Sequence, residues 1–213
     1  MNAPLALACA AALASGCDTV VASQPAGAAP DPPAAAAAGA PAATPSPGCL
    51  ASGDGYLRAR LRGALELDVA WEDPRMDCDG GMRPDGRGLR VTVAGPSSPS
   101  GRRLRFVFGI ADVAEGAAAT ARPTNLTILF EGEQRVYATR GDDKCTIDAL
   151  RQERIGALGG PERSWRVVAS GFCTGPAAAV DGSGRILVTR FDFATRVRFS
   201  DDVPHATPVP AAP

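Results

Sequence analysis

The chain has one histidine, His205, and it lies in a Pro-rich tail. With no other imidazole, Ser-His-Asp and Cys-His nucleophile pairs and His-based metal sites are excluded. No GxSxG, SxxK or HExxH motif occurs, and no CxxC spacing supports a zinc site. No Lys or Arg precedes position 50, although 22 follow it. The long apolar run is missing too: the most hydrophobic stretch, Leu5–Ala14 (LALACAAALA), is too short to span a bilayer. A one-signed charge is also lacking. The net charge is −1, which gives no field to steer nucleic acid, so no nucleic-acid partner is expected. All cations but Lys144 are arginine, a bias that matches codon usage in a GC-rich genome, as does the abundance of alanine.

What the first fifty residues do contain is Ala, Pro, Gly, Ser and Thr, which sets them apart from the charged remainder. Leu5–Ala14 has the length of a signal-peptide core. Small residues then lead to a cysteine, through Ala14, Ser15 and Gly16 to Cys17. This stretch, LASGC, resembles the lipobox of bacterial lipoproteins. It departs from that pattern in having no basic residue before Leu5 and in placing Ala at position 14, where Leu is commonest. The resemblance covers residues 1–17. It implies cleavage before Cys17, a diacylglyceryl thioether on its sulfur and acylation (palmitate among the chains) of the new amino terminus. Two or three acyl chains anchor durably where one holds only marginally. The expected address is therefore the bacterial cell envelope, lipid-anchored and facing periplasm or surface. Asp18 resembles the inner-membrane retention signal of enterobacterial lipoproteins, and inner against outer membrane stays open.

From Thr19 to Gly48 the chain has no periodicity and no bulky core formers. Such a segment cannot bury enough apolar surface to offset the entropy of ordering, so a disordered Ala/Pro linker is expected over 17–48. As a coil it would reach about 30 Å, and stretched about 90 Å. A Pro/Ala tail is expected over 204–213.

Between them, over 49–203, alternation dominates. In YLRARLRGALELDVAW, Leu57, Ala59, Leu61, Leu65, Leu67, Val69 and Trp71 share one parity, while Arg58, Arg60, Arg62, Glu66, Asp68 and Glu72 share the other. This reads as one strand bent at Gly63 or as two strands in phase, on a sheet covered on one side. The signature recurs with Leu89, Val91 and Val93, and with Leu104, Phe106, Phe108 and Ile110. A hairpin turning at Gly132 sets Leu126, Ile128 and Phe130 on one arm and Val136 and Ala138 on the other. In the last run Leu187, Phe191, Phe193, Val197 and Phe199 share a parity. The expected fold is mainly β: an antiparallel β-sandwich or barrel of about eight strands, with at most one short helix near 146–158.

Signal removal discards Cys9 and lipid occupies Cys17, leaving Cys49, Cys78, Cys145 and Cys173. An even number in an exported chain implies two disulfides out of three pairings. Cys49–Cys78 and Cys145–Cys173, which close loops of similar length, are the expected pair.

Other candidates read more simply as structure. DCDGG (Asp77–Gly81) and RGDDK (Arg140–Lys144) cluster carboxylates as calcium loops do, but lack the alternate-position acids of an EF-hand. They are expected to be turns beside disulfides. The RGD within RGDDK is too short a match to argue from, and the NLT sequon at Asn125 falls in an expected strand. Alternation puts Phe191 and Phe193 in the core and Asp192 outside, rather than making an aromatic binding face with Tyr137. The Arg58/Arg60/Arg62 stripe suits polyanionic lipid or polysaccharide, but is expected to be a solvated face whose charges pair with neighbours. No cofactor, metal or catalytic residue is assigned and no enzyme is expected. The expected function is a membrane-tethered binding or interaction module for an envelope protein or glycan. The alternatives are a structural or scaffold lipoprotein without ligand, and a hydrolase built on two carboxylates about 5–10 Å apart.

Overall fold

A computed structural model describes residues 48–97, 101–156 and 162–200, all within one compact unit, residues 44–213. Cys17, the signal segment, the linker and the tail lie outside the described residues.

Eleven strands occur among the described residues: β1 (Tyr56–Gly63), β2 (Leu67–Glu72), β3 (Asp77–Met82), β4 (Gly88–Pro96), β5 (Arg103–Ala111), β6 (Ala119–Glu131), β7 (Arg135–Ala138), β8 (Cys145–Ile155), β9 (Glu162–Cys173), β10 (Ala177–Ala179) and β11 (Arg185–Ser200). They form one antiparallel sheet. Its path runs β2-β1-β11-β10-β7-β6-β5-β4-β3, and the β8–β9 hairpin also joins β6 to β11. The alternation thus makes an all-β domain, with more strands than the eight expected because β3, β8 and the short β10 add to them.

The first alternating run is two strands. Gly63 turns with φ 109°, a conformation that favours glycine, and Leu61 then faces Leu67, Ala59 faces Val69 and Leu57 faces Trp71. The inward side chains of all the long strands meet in one core. At its centre lie Phe106, Phe108, Phe191 and Phe193, all fully buried. Phe108 sits 4.9 Å from Phe191 and 5.1 Å from Phe193 between ring centroids, while Trp71 meets Phe106 edge-on at 5.6 Å.

The two ends of the sheet path are brought round onto each other. Arg196 N–H donates to Cys78 Sγ at 3.5 Å, and Arg198 pairs with Asp79 at 2.9 Å, which lays β3 along the second half of β11. Gly80 permits this approach: a Cβ there would stand 2.7 Å from Val197 Cγ2 and 3.0 Å from the Arg90 carbonyl oxygen. At the other end Trp71 Nε1 donates to the Pro96 carbonyl at 2.8 Å, tying β2 to β4. The result is a rolled sheet, sandwich-like because its inner faces pack on one another.

Four sequence expectations are corrected. Residues 145–155 are strand β8, not helix (157 and 158 fall outside the described residues). A bulge between Ile147 and Ala149 makes Asp148 the extra residue, so Ile147 and Leu150 both face inward at a spacing that imitates a helix. A second bulge sets Arg60 against Arg190 but Leu61 against Val188. Thr189 therefore shifts the parity, and Ile186 and Val188, not Leu187, join the core. On β7 it is Tyr137, facing Ile128, that is buried rather than Val136 and Ala138. DCDGG is strand β3 rather than a turn.

Both expected disulfides are present, Cys49–Cys78 and Cys145–Cys173. The first ties the start of the described chain to β3, and the second joins directly facing residues of β8 and β9. Asp73 reinforces the first: its carboxylate accepts the backbone N–H groups of Cys49 at 2.5 Å, Leu50 at 3.0 Å and Gly55 at 2.9 Å.

One buried hydroxyl, Thr195 Oγ1, has no hydrogen-bond partner in this core. Thr195→Val is expected to be neutral or stabilising in urea denaturation, since it removes an unsatisfied polar group without changing shape. Phe108→Ala is expected to lose about 3–5 kcal/mol in the same measurement, because it empties the centre of the core.

Candidate functional site

One broad outward surface is the shared outer face of β8, β9, β11, β1 and β2. Pairing register places Arg151, Val168, Ala194, Tyr56 and Glu72 in one row across it, and Ala149, Ser170, Asp192, Arg58 and Ala70 in the next. The middle of this face is low because Ala194, Ser170 and Ala149 are small. Three open depressions result. Arg58, Asp68, Arg190 and Asp192 line the first, of about 260 Å³. Tyr56, Arg151, Val168, Ser170 and Asp192 line the second, of about 220 Å³. Arg151, Glu153, Arg166 and Val168 line the third, of about 350 Å³. The first two share Asp192 and the last two share Arg151 and Val168, so they adjoin in a row that makes one furrow. Each alone is at or below the lower end of small-molecule pockets, about 300–1,000 Å³. The furrow suits an extended ligand better than a compact one.

Its electrostatics come from the register. Arg58, on β1, reaches Glu72 at 3.8 Å and Asp192 at 4.0 Å, and its guanidinium lies 4.9 Å from the Tyr56 ring centroid. Arg60 reaches Asp68 at 3.8 Å. Arg62 holds Asp68 at 2.7 Å, and that hydrogen bond holds the Asp68 carboxyl below its ordinary pKa. The arginine stripe is thus met by the acids of β2, and exposed pairs of this kind contribute little to stability.

The neighbouring strands differ. Arg60 stands directly across from Arg190, and Arg166 directly across from Arg196. Like charges facing across a ladder are destabilising. Arg166 has Asp54 at 2.8 Å, and Ser52 together with Arg166 lowers the Asp54 pKa. Arg166 Nε is nonetheless buried without a partner. Arg151 and Arg190 are exposed, and neither side chain makes an ion pair or hydrogen bond among the described residues. Nothing in one strand's sequence marked these oppositions; only register does.

The remaining candidates serve the fold. Asp77 and Asp79 of DCDGG pair with Arg103 and Arg198. In RGDDK, Asp142 accepts from Arg83 at 3.2 Å and from Asn125 Nδ2 at 2.7 Å, and Asp143 pairs with Lys144. The segment is a bend beside Cys145, and it engages the sequon asparagine as a structural partner. Phe191 and Phe193 are core, with Asp192 outside, as alternation requires.

A heavily bonded carboxylate outside the furrow is Glu115. Arg163 grips it with Nε at 2.7 Å and Nη2 at 2.9 Å, and Trp165 Nε1 donates at 2.8 Å. Gln152 binds the same loop through Gly116 N and the carbonyls of Ala114 and Ala117. This clamps the β5–β6 connection onto the β8–β9 hairpin. The Arg163 hydrogen bonds, then that of Trp165, hold the Glu115 pKa below its ordinary 4.5. Stability from this clamp is therefore full above pH 4.5 and is lost as pH falls through the lowered value. Glu115→Gln is expected to be less stable than wild type at pH 7. In thermal melts, that difference should shrink as the pH is taken through the acid range below the ordinary glutamate value.

No protein-family model matches the chain, and no curated protein or solved structure matches it either, so its function is read from these residues alone.

Proposed function

We propose that this protein is an exported, lipid-anchored module of the bacterial cell envelope, whose β domain binds an envelope component through the furrow on its outer face. The observation that carries the binding half is the row of adjoining arginine-rich depressions across five strands, in which Arg151 and Arg190 have no anion to pair with among the described residues. A surface meant only to be solvated gains nothing from facing Arg60 with Arg190.

The anchoring half rests on the lipobox-like LASGC at Leu13–Cys17. Two disulfides in the described domain support an oxidising compartment. The Ala/Pro stretch that follows Cys17 fits a spacer that lifts a domain away from a bilayer. The domain start is suited to such a tether: the first described residues are held by Asp73 and by Cys49–Cys78, so tension on the chain meets a crosslink and a carboxylate nest before any strand.

Metabolic labelling with palmitate tests the anchor. Wild type is expected to incorporate label and to fractionate with membranes. Cys17→Ala should lose the label and appear in the soluble fraction. Equal labelling of the two would overturn the assignment.

A further inference from the structure

We propose that the furrow's ligand is an acidic polysaccharide, bound as an extended chain with its carboxylates on the free arginines. This rests on the reading of the furrow as a binding surface and names the chemistry of what fills it.

Length is the first argument. Arg190 lines the first depression and Arg166, directly across from Arg196, lines the third; along β11 Arg190 and Arg196 stand about 20 Å apart at ~3.3 Å of rise per strand residue. Each belongs to a like-charged facing pair, Arg60–Arg190 and Arg166–Arg196, and in each pair one arginine already has a carboxylate, Asp68 or Asp54. Two separated anionic groups, one at each end, relieve both oppositions. A single small anion relieves one.

Chemistry between the ends is the second argument. The centre of the furrow holds Asp192, Ser170 and the Tyr56 ring, with Arg58 against both Tyr56 and Asp192. An acid at the centre repels a continuous phosphate array, as on an anionic membrane. It accepts hydrogen bonds from sugar hydroxyls, to which Ser170 adds a second polar partner. Planar guanidinium groups recognise carboxylates bidentately, which suits uronic acids placed along the chain.

The test uses the purified full chain and three probes: polygalacturonate, neutral dextran of similar length, and phosphatidylglycerol vesicles. Calorimetric titration is expected to show binding to polygalacturonate, weakened by salt, with none to dextran. Arg151→Glu/Arg190→Glu should weaken that binding by about tenfold or more, the loss of one or two charged hydrogen bonds. Because these side chains make no contacts that hold the fold, and Arg190→Glu removes a like-charge opposition, the variant should melt no lower than wild type without ligand. Binding to vesicles alone, to none of the three probes, or equally by the variant would each overturn the proposal. Capture of an envelope component that the variant loses, without polygalacturonate binding, would overturn the ligand class and leave the furrow reading standing. Equal capture by wild type and variant would overturn the furrow itself.

Discussion

A sheet with one apolar face has no stable flat form in water, and everything else in this domain follows from covering that face with itself. Period-two alternation runs through nearly every long strand, so the inward residues must meet residues of the same sheet. The aromatic quartet Phe106, Phe108, Phe191 and Phe193 shows where they meet: rings on β5 and β11 pack at a tilt across the interior although about eighty residues separate them. Rolling brings the two ends of the sheet within reach of each other, where Gly80, the Arg198–Asp79 pair and Cys49–Cys78 close the seam. The crosslinks therefore hold a topology that burial already demands.

Rolling also decides what the outside can do. Locked inner side chains fix the backbone, and the backbone fixes the outward positions to the spacing of strands. Exposed ion pairs contribute little to stability individually, so the outer charges are free to be arranged for recognition. Arg60 facing Arg190 and Arg166 facing Arg196 cost some stability where a carboxylate would have gained it. Such local losses at one place are what the proposed binding role of this face would require.

Much of the fold was legible because parity is local. Leu57 to Trp71, Leu89 to Val93 and Leu104 to Ile110 all point where alternation puts them. Legibility failed at the bulges. Asp148 and Thr189 each insert one residue, and each insertion reverses the inward set beyond it, so Leu150 mimicked a helical spacing and Leu187 was placed inward. Even β7 followed the same logic, since Tyr137 takes its face from its partner Ile128 rather than from its own short run. The disulfide pairs could be chosen from loop lengths alone. The furrow could not be read at all: its five strands come from β1, β2, β8, β9 and β11, and the arginine oppositions exist only once register is known. The Arg58/Arg60/Arg62 stripe was visible, but β2 supplies the acids that answer it, as expected of a paired face.

Native-state hydrogen exchange measures closure of the roll most directly, by comparing β3 and the Val197–Phe199 half of β11 with the central strand β5. A closed roll predicts that amides bonded within all three segments exchange only with global unfolding, at one common free energy. Exchange of the β3 and late β11 amides by local opening, well below the value for β5, would contradict it.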